Sequence, residues 1–400
     1  MKKPALRYLV ASPAGDVPVD ADRLEYPLEA DPLKTSYRVY FHAISDFLSR
    51  ENFQPLLEAV NERLETDFDL SSLDEIIVRT EKHGALYHPS SIEVMSKKGR
   101  VKFGLNVAVT DTGKDSLKRE FTILKTLNAR FNLPYIPKPF YLDELHSLVF
   151  LLEEWFEGYH EFHIAKSEDG KQQIKLWEYG KGERFLTPEQ GFEIYRQIAM
   201  ILTLFYDIEN CRMIFPWHHA AGDFVVRIED ARYSPSPNPS PRGRGNKKKD
   251  SHQRRGEGCM RNKINVRLTT VRGYEPFMGS DTNEMITPVL ALFYFLLHLS
   301  IQMRLDKLDG VGDVVWADEK CVDATLAGFF LGLESKKAFL NYCGSQGEFL
   351  TLLRSFSVDD LATTFKPIIK QYEKTKDFPV IERIFGNHVA RLYLTLRNYP

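Results

Sequence analysis

Three short β-rich runs lie close together between residues 75 and 109, and this part of the chain restricts the fold most strongly. The runs cover 76–78, 92–95 and 101–109 and are rich in Ile, Val and Phe. Residues that favour turns stand between them, among them two glycines and a proline. Short strands joined by tight turns pair with their neighbours in sequence, so this pattern predicts an antiparallel meander.

A helix and two further strands follow the meander, and the rest of the chain is mostly helical. Leu117, Phe121 and Leu124 recur at helical spacing, and 140–142 and 147–153 are apolar enough for strands. Later helical patterns cover 188–210, 287–308, 319–333, 346–356, 358–374 and 380–397. Strands followed by helices, without regular alternation, predict an α+β fold.

The first 74 residues have weaker patterns. Residues 1–35 are rich in Pro and acidic residues and lack periodicity, so we expect an irregular leader. The aromatic segment 37–47 is compatible with a strand. Residues 52–64 place their apolar side chains on one face of a helix. We therefore expect 1–74 to form a leader with one amphipathic helix.

Length and charge restrict the class of protein. The chain has 400 residues, more than one hydrophobic core usually holds, which predicts two lobes. The net charge of −2 argues against a dedicated nucleic-acid binder. The most apolar stretch, 289–301, is shorter than the ~20 residues that cross a bilayer, so we expect no membrane span.

Residues 234–261 form a basic insert of unusual composition. They hold eight Lys or Arg against two acidic residues, a charge of +6, which leaves −8 for the rest of the chain. Four prolines, four glycines and no aromatic residue give the insert nothing to bury, so we expect disorder. A basic arm for an anionic partner is the alternative. The flanking segments 222–228 and 264–270 are β-rich and are expected to pair as a hairpin.

The cysteines and the N-terminus indicate the compartment. Four cysteines are present without a C-x-x-C pair or a spacing suited to zinc, which favours free thiols in a reducing environment. The apolar run near the N-terminus is broken by Arg7 and followed by Pro13 and Asp16, which is not typical of an export signal. We therefore expect a cytoplasmic protein.

Four segments carry polar residues in an order that points to one family. The strand 103–109 holds Asn106, the next helix holds Glu120, and the loop 216–226 holds two histidines followed by Asp223. The fourth segment, the strand after the insert, ends in a pair of threonines. With the order of strands and helices, these segments resemble the protein-kinase-like fold, in particular its aminoglycoside-phosphotransferase and small-molecule-kinase branch.

The resemblance covers about residues 75–400 and implies a domain organisation. Residues 75–155 would be a small antiparallel sheet with one helix, and 156–400 a mainly helical lobe. The insert would lie within a β-hairpin of the second lobe.

The family's site implies a role for each matched position. A strand lysine contacts the phosphates, a helix glutamate holds it, and an aspartate and two metal ligands complete the site. The resemblance places Asn106 at the lysine and Glu120 at the glutamate. It places His218 at the catalytic aspartate, Asp223 at the first metal ligand and Thr270 at the second. Asn106, His218 and Thr270 replace charged residues, although His218 can still accept a proton.

Other cations can supply the missing charge. Lys82 or Lys102 can replace the absent lysine, because Lys102 is four residues from Asn106 and points to the same sheet face. Arg267 and Arg272 flank the second metal position and can bind phosphate through their guanidinium groups. A solvated surface lysine is the simpler interpretation of Lys82 and Lys102, and the two arginines can equally be ordinary surface charges.

Two pairs of histidines suggest metal ligation. His218 and His219 can converge with Asp223 on a divalent cation. His160 and His163 are three residues apart and can bind zinc if they lie on a helix. Structural or surface histidines are the simpler interpretation in both places.

These features lead to one principal functional hypothesis and two alternatives. The chain is expected to be a degenerate kinase-like protein, a pseudokinase or a binding and regulatory module whose partner is an unknown protein or small molecule. The first alternative is an atypical phosphotransferase on a small-molecule, lipid or sugar substrate, and only this alternative implies ATP and Mg²⁺ as cofactors. The second is a scaffolding or structural subunit.

Overall fold

The computed structural model describes residues 3–12, 15–81, 84, 86–97, 99–229, 263–276 and 287–400. The fold is α+β, as the sequence predicts. The helices in these ranges are α1 (Tyr37–Leu48), α2 (Gln54–Leu64), α3 (Asp111–Phe131), α4 (Pro188–Phe205), α5 (Pro288–Gln302), α6 (Lys320–Glu334), α7 (Lys337–Cys343), α8 (Gln346–Ser355), α9 (Val358–Tyr372) and α10 (Phe378–Asn398).

A seven-stranded sheet dominates the first half of the chain. Its strands are β1 (Ala5–Ser12), β2 (Gly15–Pro18), β3 (Leu73–Thr80), β4 (His88–Ser96), β5 (Gly99–Ala108), β6 (Pro139–Leu145) and β7 (Leu148–Glu154). The spatial order is β2-β1-β3-β4-β5-β7-β6. The predicted meander is confirmed, because β3, β4 and β5 pair antiparallel in succession.

The remaining strands form small sheets. They are β8 (Phe162–Lys166), β9 (Gln172–Glu178), β10 (Gly182–Phe185), β11 (Arg212–Ile214), β12 (Phe224–Glu229), β13 (Lys263–Leu268), β14 (Tyr274–Pro276), β15 (Leu305–Lys307) and β16 (Val314–Trp316). Strands β10, β9 and β8 form a three-stranded antiparallel sheet that sequence analysis missed.

Two expectations for the N-terminal region are wrong. The supposed leader contains β1, which pairs in parallel with β3 from Ala5 opposite Glu75 to Val10 opposite Thr80. Residues 37–48 form helix α1 rather than a strand. Their buried side chains recur at helical spacing, and the Ser36 hydroxyl accepts from the backbone N–H of Val39 as an N-cap.

The seven-stranded sheet is covered on both faces. On one face, α1 and α2 pack against buried side chains such as Phe103 and Phe150. On the other face, α3 packs near Ala108, and the helical second half extends the same core. Helices α4 and α6 approach closely there, because a Cβ at Gly328 would come within 2.0 Å of the Arg196 carbonyl oxygen.

The split hairpin is confirmed. Strand β12 pairs antiparallel with β13, with Phe224 opposite Leu268 and Glu229 opposite Lys263. The expectation of disorder for 234–261 concerns residues that lie outside the described ranges. The cysteines of the described part, Cys211, Cys321 and Cys343, are free thiols. Among the helices in the described ranges, none has the length and apolar character to span a membrane.

Candidate functional site

The candidate residues sit where the sheet meets the helical half. Asn106 lies on β5, Glu120 on α3, and Asp223 directly before β12. His218 is extended and precedes a single turn of 3-10 helix, His219–Ala221, which leads to Asp223. The candidate cation Lys82 lies outside the described residues.

The Asp223 carboxylate is buried and fully bonded. Its side chain is 1% exposed, and both of its oxygens accept from the Arg272 guanidinium, with Nη2 to Oδ1 at 2.6 Å. Oδ2 also accepts from the backbone N–H of His218 at 2.8 Å. This bidentate geometry is the strongest form of an arginine–carboxylate pair. Arg272 therefore lies where a cation bound to Asp223 would lie.

Glu120 is held by partners other than a lysine. Its Oε1 accepts from the backbone N–H of Val271 at 2.7 Å, and its Oε2 accepts from the Tyr87 hydroxyl at 2.7 Å. Burial raises the pKa of Glu120, although both hydrogen bonds and nearby Arg272 oppose the shift.

Asn106 pairs with a second buried carboxyl. Its Nδ2 donates to Oε1 of Glu153 at 2.8 Å, and Oε2 of Glu153 is buried without a hydrogen-bond partner. Burial, and then the negative charge of Glu120, raises the pKa of Glu153 well above 4.5. These shifts favour the neutral form of Glu153, which can donate a proton as well as accept a hydrogen bond.

These three pairs form one polar cluster, which we call the central cluster: Asp223–Arg272, Glu120–Tyr87 and Glu153–Asn106. The pKa of Glu120 responds to Arg272 and Asp223, and the pKa of Glu153 responds to Glu120, so their charges are close enough to interact. The structure therefore brings together three of the predicted site residues, Asn106, Glu120 and Asp223. Arg272 provides a positive charge that cannot be removed by titration.

The two adjacent histidines differ in their surroundings. His219 is 2% exposed and packs beside the rings of Trp217 and Phe224, and its Nε2–H donates to the Met303 carbonyl at 3.1 Å. Burial lowers the pKa of His219, as expected for a neutral core imidazole. His218 is half-buried, with Nδ1 3.5 Å from Nε2 of Gln302.

The strand lysine engages an aromatic ring. The Nζ of Lys102 is 4.5 Å from the Trp155 ring centroid, and Lys102 lies opposite Glu93 in the sheet. Burial lowers the pKa of Lys102. Lys102 and Asn106 alternate onto the same face of β5, which agrees with the spacing argument.

The more distant candidates have structural contacts. His163 is 3% exposed on β8, between Glu161 and Asp306. Burial lowers the pKa of His163, but the two flanking carboxylates raise it further, to about 9. Because His163 lies on a strand, the helical spacing assumed for a zinc pair with His160 does not apply. In the part of the chain that the structure describes, no group of three or more His, Cys, Asp or Glu residues is arranged to hold a metal ion.

Arg267 packs against aromatic rings. Its Cζ is 5.4 Å from the Tyr135 ring centroid and 5.3 Å from that of Tyr159. Cation–π contacts of this kind hold a guanidinium without an ion pair.

Sequence reasoning missed two members of the central cluster. Tyr87 stands in turn-forming sequence, and nothing local indicates its contact with Glu120. The position of Glu153 did carry a signal. Glu153 directly follows the apolar run 148–152, and a continuous apolar run indicates a strand that is buried on both faces. A buried acidic residue of that kind needs a partner or a raised pKa.

Comparison with known proteins gives little guidance. No protein-family model and no curated protein matches this chain. Among solved structures, one described as a kinase domain is similar over 82% of this chain and 86% of its own, with 12% identity and a TM-score of 0.30. A likeness this remote carries no argument about mechanism.

Proposed function

We propose that this chain is a two-lobed, kinase-like protein that has lost phosphoryl transfer and acts as a binding or regulatory module. Residues 75–155 would form the sheet-rich lobe and 156–400 the helical lobe. The observation that carries the proposal is the Asp223–Arg272 pair, in which a guanidinium group neutralises the carboxylate that the resemblance assigns to metal binding.

Magnesium does not fit the central cluster as it is built. Mg²⁺ requires oxygen ligands at about 2.0–2.1 Å in octahedral geometry. The oxygens of Asp223 accept from Arg272 and from the backbone of His218, and the resemblance assigns the second metal position to Thr270, which has no carboxylate. Binding a metal would leave Arg272 without its partner. The cluster therefore favours a metal-independent role.

The phosphate-binding lysine also has no equivalent in the central cluster. Asn106, to which the resemblance assigns the lysine position, binds Glu153, while Glu120 accepts from Tyr87 and Val271. Phosphoryl transfer depends on cations around the transferred group. The only guanidinium in this cluster is committed to Asp223, which argues against the phosphotransferase alternative.

A thermal-shift titration with ATP and MgCl₂ tests this function. We expect the melting temperature to stay unchanged at all nucleotide concentrations, because a ligand stabilises only a protein that binds it. A saturable rise that disappears in Asp223→Ala would support the atypical phosphotransferase instead. Asp323→Ala is the matched control, because Asp323 also pairs with an arginine, Arg391, in the helical half.

A further inference from the structure

The β15–β16 hairpin, residues 305–316, rests on the β8–β10 sheet. From β15, Oδ2 of Asp306 accepts from the backbone N–H of Ile164 on β8 at 2.9 Å. The turn of the hairpin lies directly on the ring of His163, because a Cβ at Gly310 would come within 2.8 Å of His163 Nε2. His163 is therefore enclosed between the sheet and the 305–316 hairpin, which explains its exposure of only 3%.

The imidazole of His163 lies between two carboxylates on opposite sides of this contact. Its Nδ1 is 3.8 Å from Oδ1 of Asp306 on the hairpin, and its Nε2 is 3.7 Å from Oε2 of Glu161, directly before β8. The Asp306 side chain is 3% exposed, so little water screens its charge from the ring. The protonated ring therefore links the sheet to the hairpin electrostatically.

The hairpin presents carboxylates, and the sheet presents the cations that face them. Asp306 and Asp309 belong to the hairpin. Lys175 on β9 lies opposite His163 in the sheet, and its Nζ is 2.8 Å from Oδ1 of Asp309. Lys175 also pairs with Glu183 of the sheet at 2.9 Å. If His163 loses its proton, the two hairpin carboxylates face one cation instead of two, and that cation is shared with Glu183.

The other titratable groups beside this contact keep their charge state at mildly alkaline pH. Burial lowers the pKa of His219, in the turn before β12, and burial raises the pKa of Tyr195 on α4 well above its usual value, so both stay neutral. Contact with Asp309 raises the pKa of Lys175, which therefore stays charged. Of these groups, His163 is the one that changes its charge.

We propose that His163 is a proton-dependent switch between the 305–316 hairpin and the β8–β10 sheet. The imidazolium holds the hairpin on the sheet, and loss of the proton releases the hairpin, because Asp306 and Asp309 then lack one of the cations that face them. This inference concerns the attachment of the hairpin and goes beyond the proposed function, since it holds whether or not the chain binds a ligand.

The pH range of the switch follows from the charges around the ring. Burial lowers the pKa of His163, but the two flanking carboxylates raise it further, to about 9, against an ordinary value of 6.5. A group whose pKa is raised in the folded state contributes stability that is fully present below its ordinary pKa. The attachment of the hairpin is therefore complete below pH 6.5 and is lost as the pH rises through about 9.

Hydrogen–deuterium exchange of the 305–316 peptide, measured by mass spectrometry on the full chain, tests the switch. The rate in His163→Gln is divided by the wild-type rate at each pH, so that the intrinsic pH dependence of exchange cancels. We expect this ratio to be at least about ten-fold at about pH 7 and to approach one at about pH 10. His160→Gln, at a half-buried histidine three residues earlier, is the matched control and should exchange like the wild type at both pH values.

The outcomes separate a proton-dependent switch from general loosening. A ratio of one at about pH 7, or a raised ratio that stays the same up to about pH 10, would overturn the proposal, and so would an equal increase in His160→Gln. If His163→Gln does not fold, Glu161→Gln decides the matter at a side chain that is 42% exposed. Faster exchange than in the wild type at about pH 8, with equal rates at about pH 10, supports the switch. An unchanged rate at about pH 8 contradicts it.

Discussion

The two side chains of the Asp223–Arg272 pair differ in their exposure to solvent. The Asp223 side chain is 1% exposed, while that of Arg272 is 25% exposed. The carboxylate therefore depends on the guanidinium and on the backbone N–H of His218 for its stabilisation, because little water reaches it. A buried ion that loses its partner is far more costly than an exposed one.

Removing the arginine of this pair should destabilise the fold strongly. We expect Arg272→Met to lower the free energy of unfolding by ~3–5 kcal/mol, because it leaves Asp223 buried and unpaired. Arg391→Met is the matched control. Its partner Asp323 is 30% exposed, so the loss should be at most about 1 kcal/mol. Urea unfolding followed by circular dichroism measures the free energy of unfolding of both variants. Equal decreases in the two variants would contradict the conclusion that buried Asp223 depends on Arg272.

The Glu153 carboxyl should make stability depend on pH. Its pKa is raised above 4.5 in the folded state, so it contributes stability that is present at low pH and lost as the pH rises through the folded pKa. Glu153→Gln removes this titration and keeps an acceptor for Asn106. We expect the unfolding free energy of the wild type to fall relative to this variant as the pH rises above 4.5, the ordinary pKa of a glutamate side chain.

The matched control for this pH dependence is one residue further on. Glu154 carries a 23% exposed side chain paired with Arg63, so Glu154→Gln should not remove the trend. A constant difference between wild type and Glu153→Gln across the range would show that Glu153 does not titrate in the folded protein with a raised pKa.

Sequence could locate part of the central cluster but not its pairing. Glu120 and Asp223 were singled out, and they lie in the same cluster. The partner of Asp223 is 49 residues away and that of Glu120 is 33 residues away, and no local pattern encodes such contacts. Arg272 was considered as a phosphate ligand or as an ordinary surface charge, whereas its guanidinium is bonded to Asp223 within the protein.

At the scale of elements, the β12–β13 hairpin shows that two strands can pair across a long insertion. The last pair before the gap is Glu229 opposite Lys263. The entropic cost of closing a flexible loop grows only slowly with its length. The long connection between β12 and β13 therefore adds little to the free-energy cost of pairing them. The core contacts of Val226 and Val266, both fully buried, hold the hairpin in place.

Shortening the connection should therefore leave the fold intact. We expect replacement of 234–261 by a short Gly-Ser linker to change the free energy of unfolding by less than about 1 kcal/mol. Val266→Asp provides the contrast, because it places a charge in the core. A deletion variant that unfolds at much lower urea concentration than the wild type would mean that the insert contributes to stability.

Elements with clear periodicity were predicted, and those with mixed patterns were not. The meander and α4 follow from alternation and from helical spacing with a capping box at Thr187. Helix α1 was missed because its aromatic residues also suit a strand. Strands β8 to β10 were missed because β9 buries only Ile174 and Leu176, with Lys175 between them, which leaves a short apolar signal.

At the scale of the whole molecule, residues 1–74 are part of the main fold rather than an appendage. Strand β1 extends the sheet beside β3, and α1 covers one sheet face. Sequence could not show this, because a parallel pair requires a long crossover and leaves no local turn signature. The expected boundary at residue 74 therefore passes through a continuous core.

This integration predicts a large effect from a single N-terminal substitution. Phe41 is 1% exposed and its ring centroid is 4.6 Å from that of Tyr8, so Phe41→Ala should cost ~3–5 kcal/mol. Val39→Ala on the same helix, at a residue 54% exposed, is the control and should change little. A single cooperative transition that moves to lower urea concentration would support unfolding of residues 1–74 together with the rest of the chain. A separate early transition in Phe41→Ala would indicate an independent N-terminal domain.

The most direct test of the account is whether the central cluster binds a divalent cation. Electron paramagnetic resonance measures free Mn²⁺ as protein is added, with and without ATP. Because Arg272 already neutralises Asp223, we predict that the free Mn²⁺ signal will match the protein-free control at every protein concentration. A protein-dependent loss of that signal that disappears in Asp223→Asn and persists in Asp323→Asn would contradict the account.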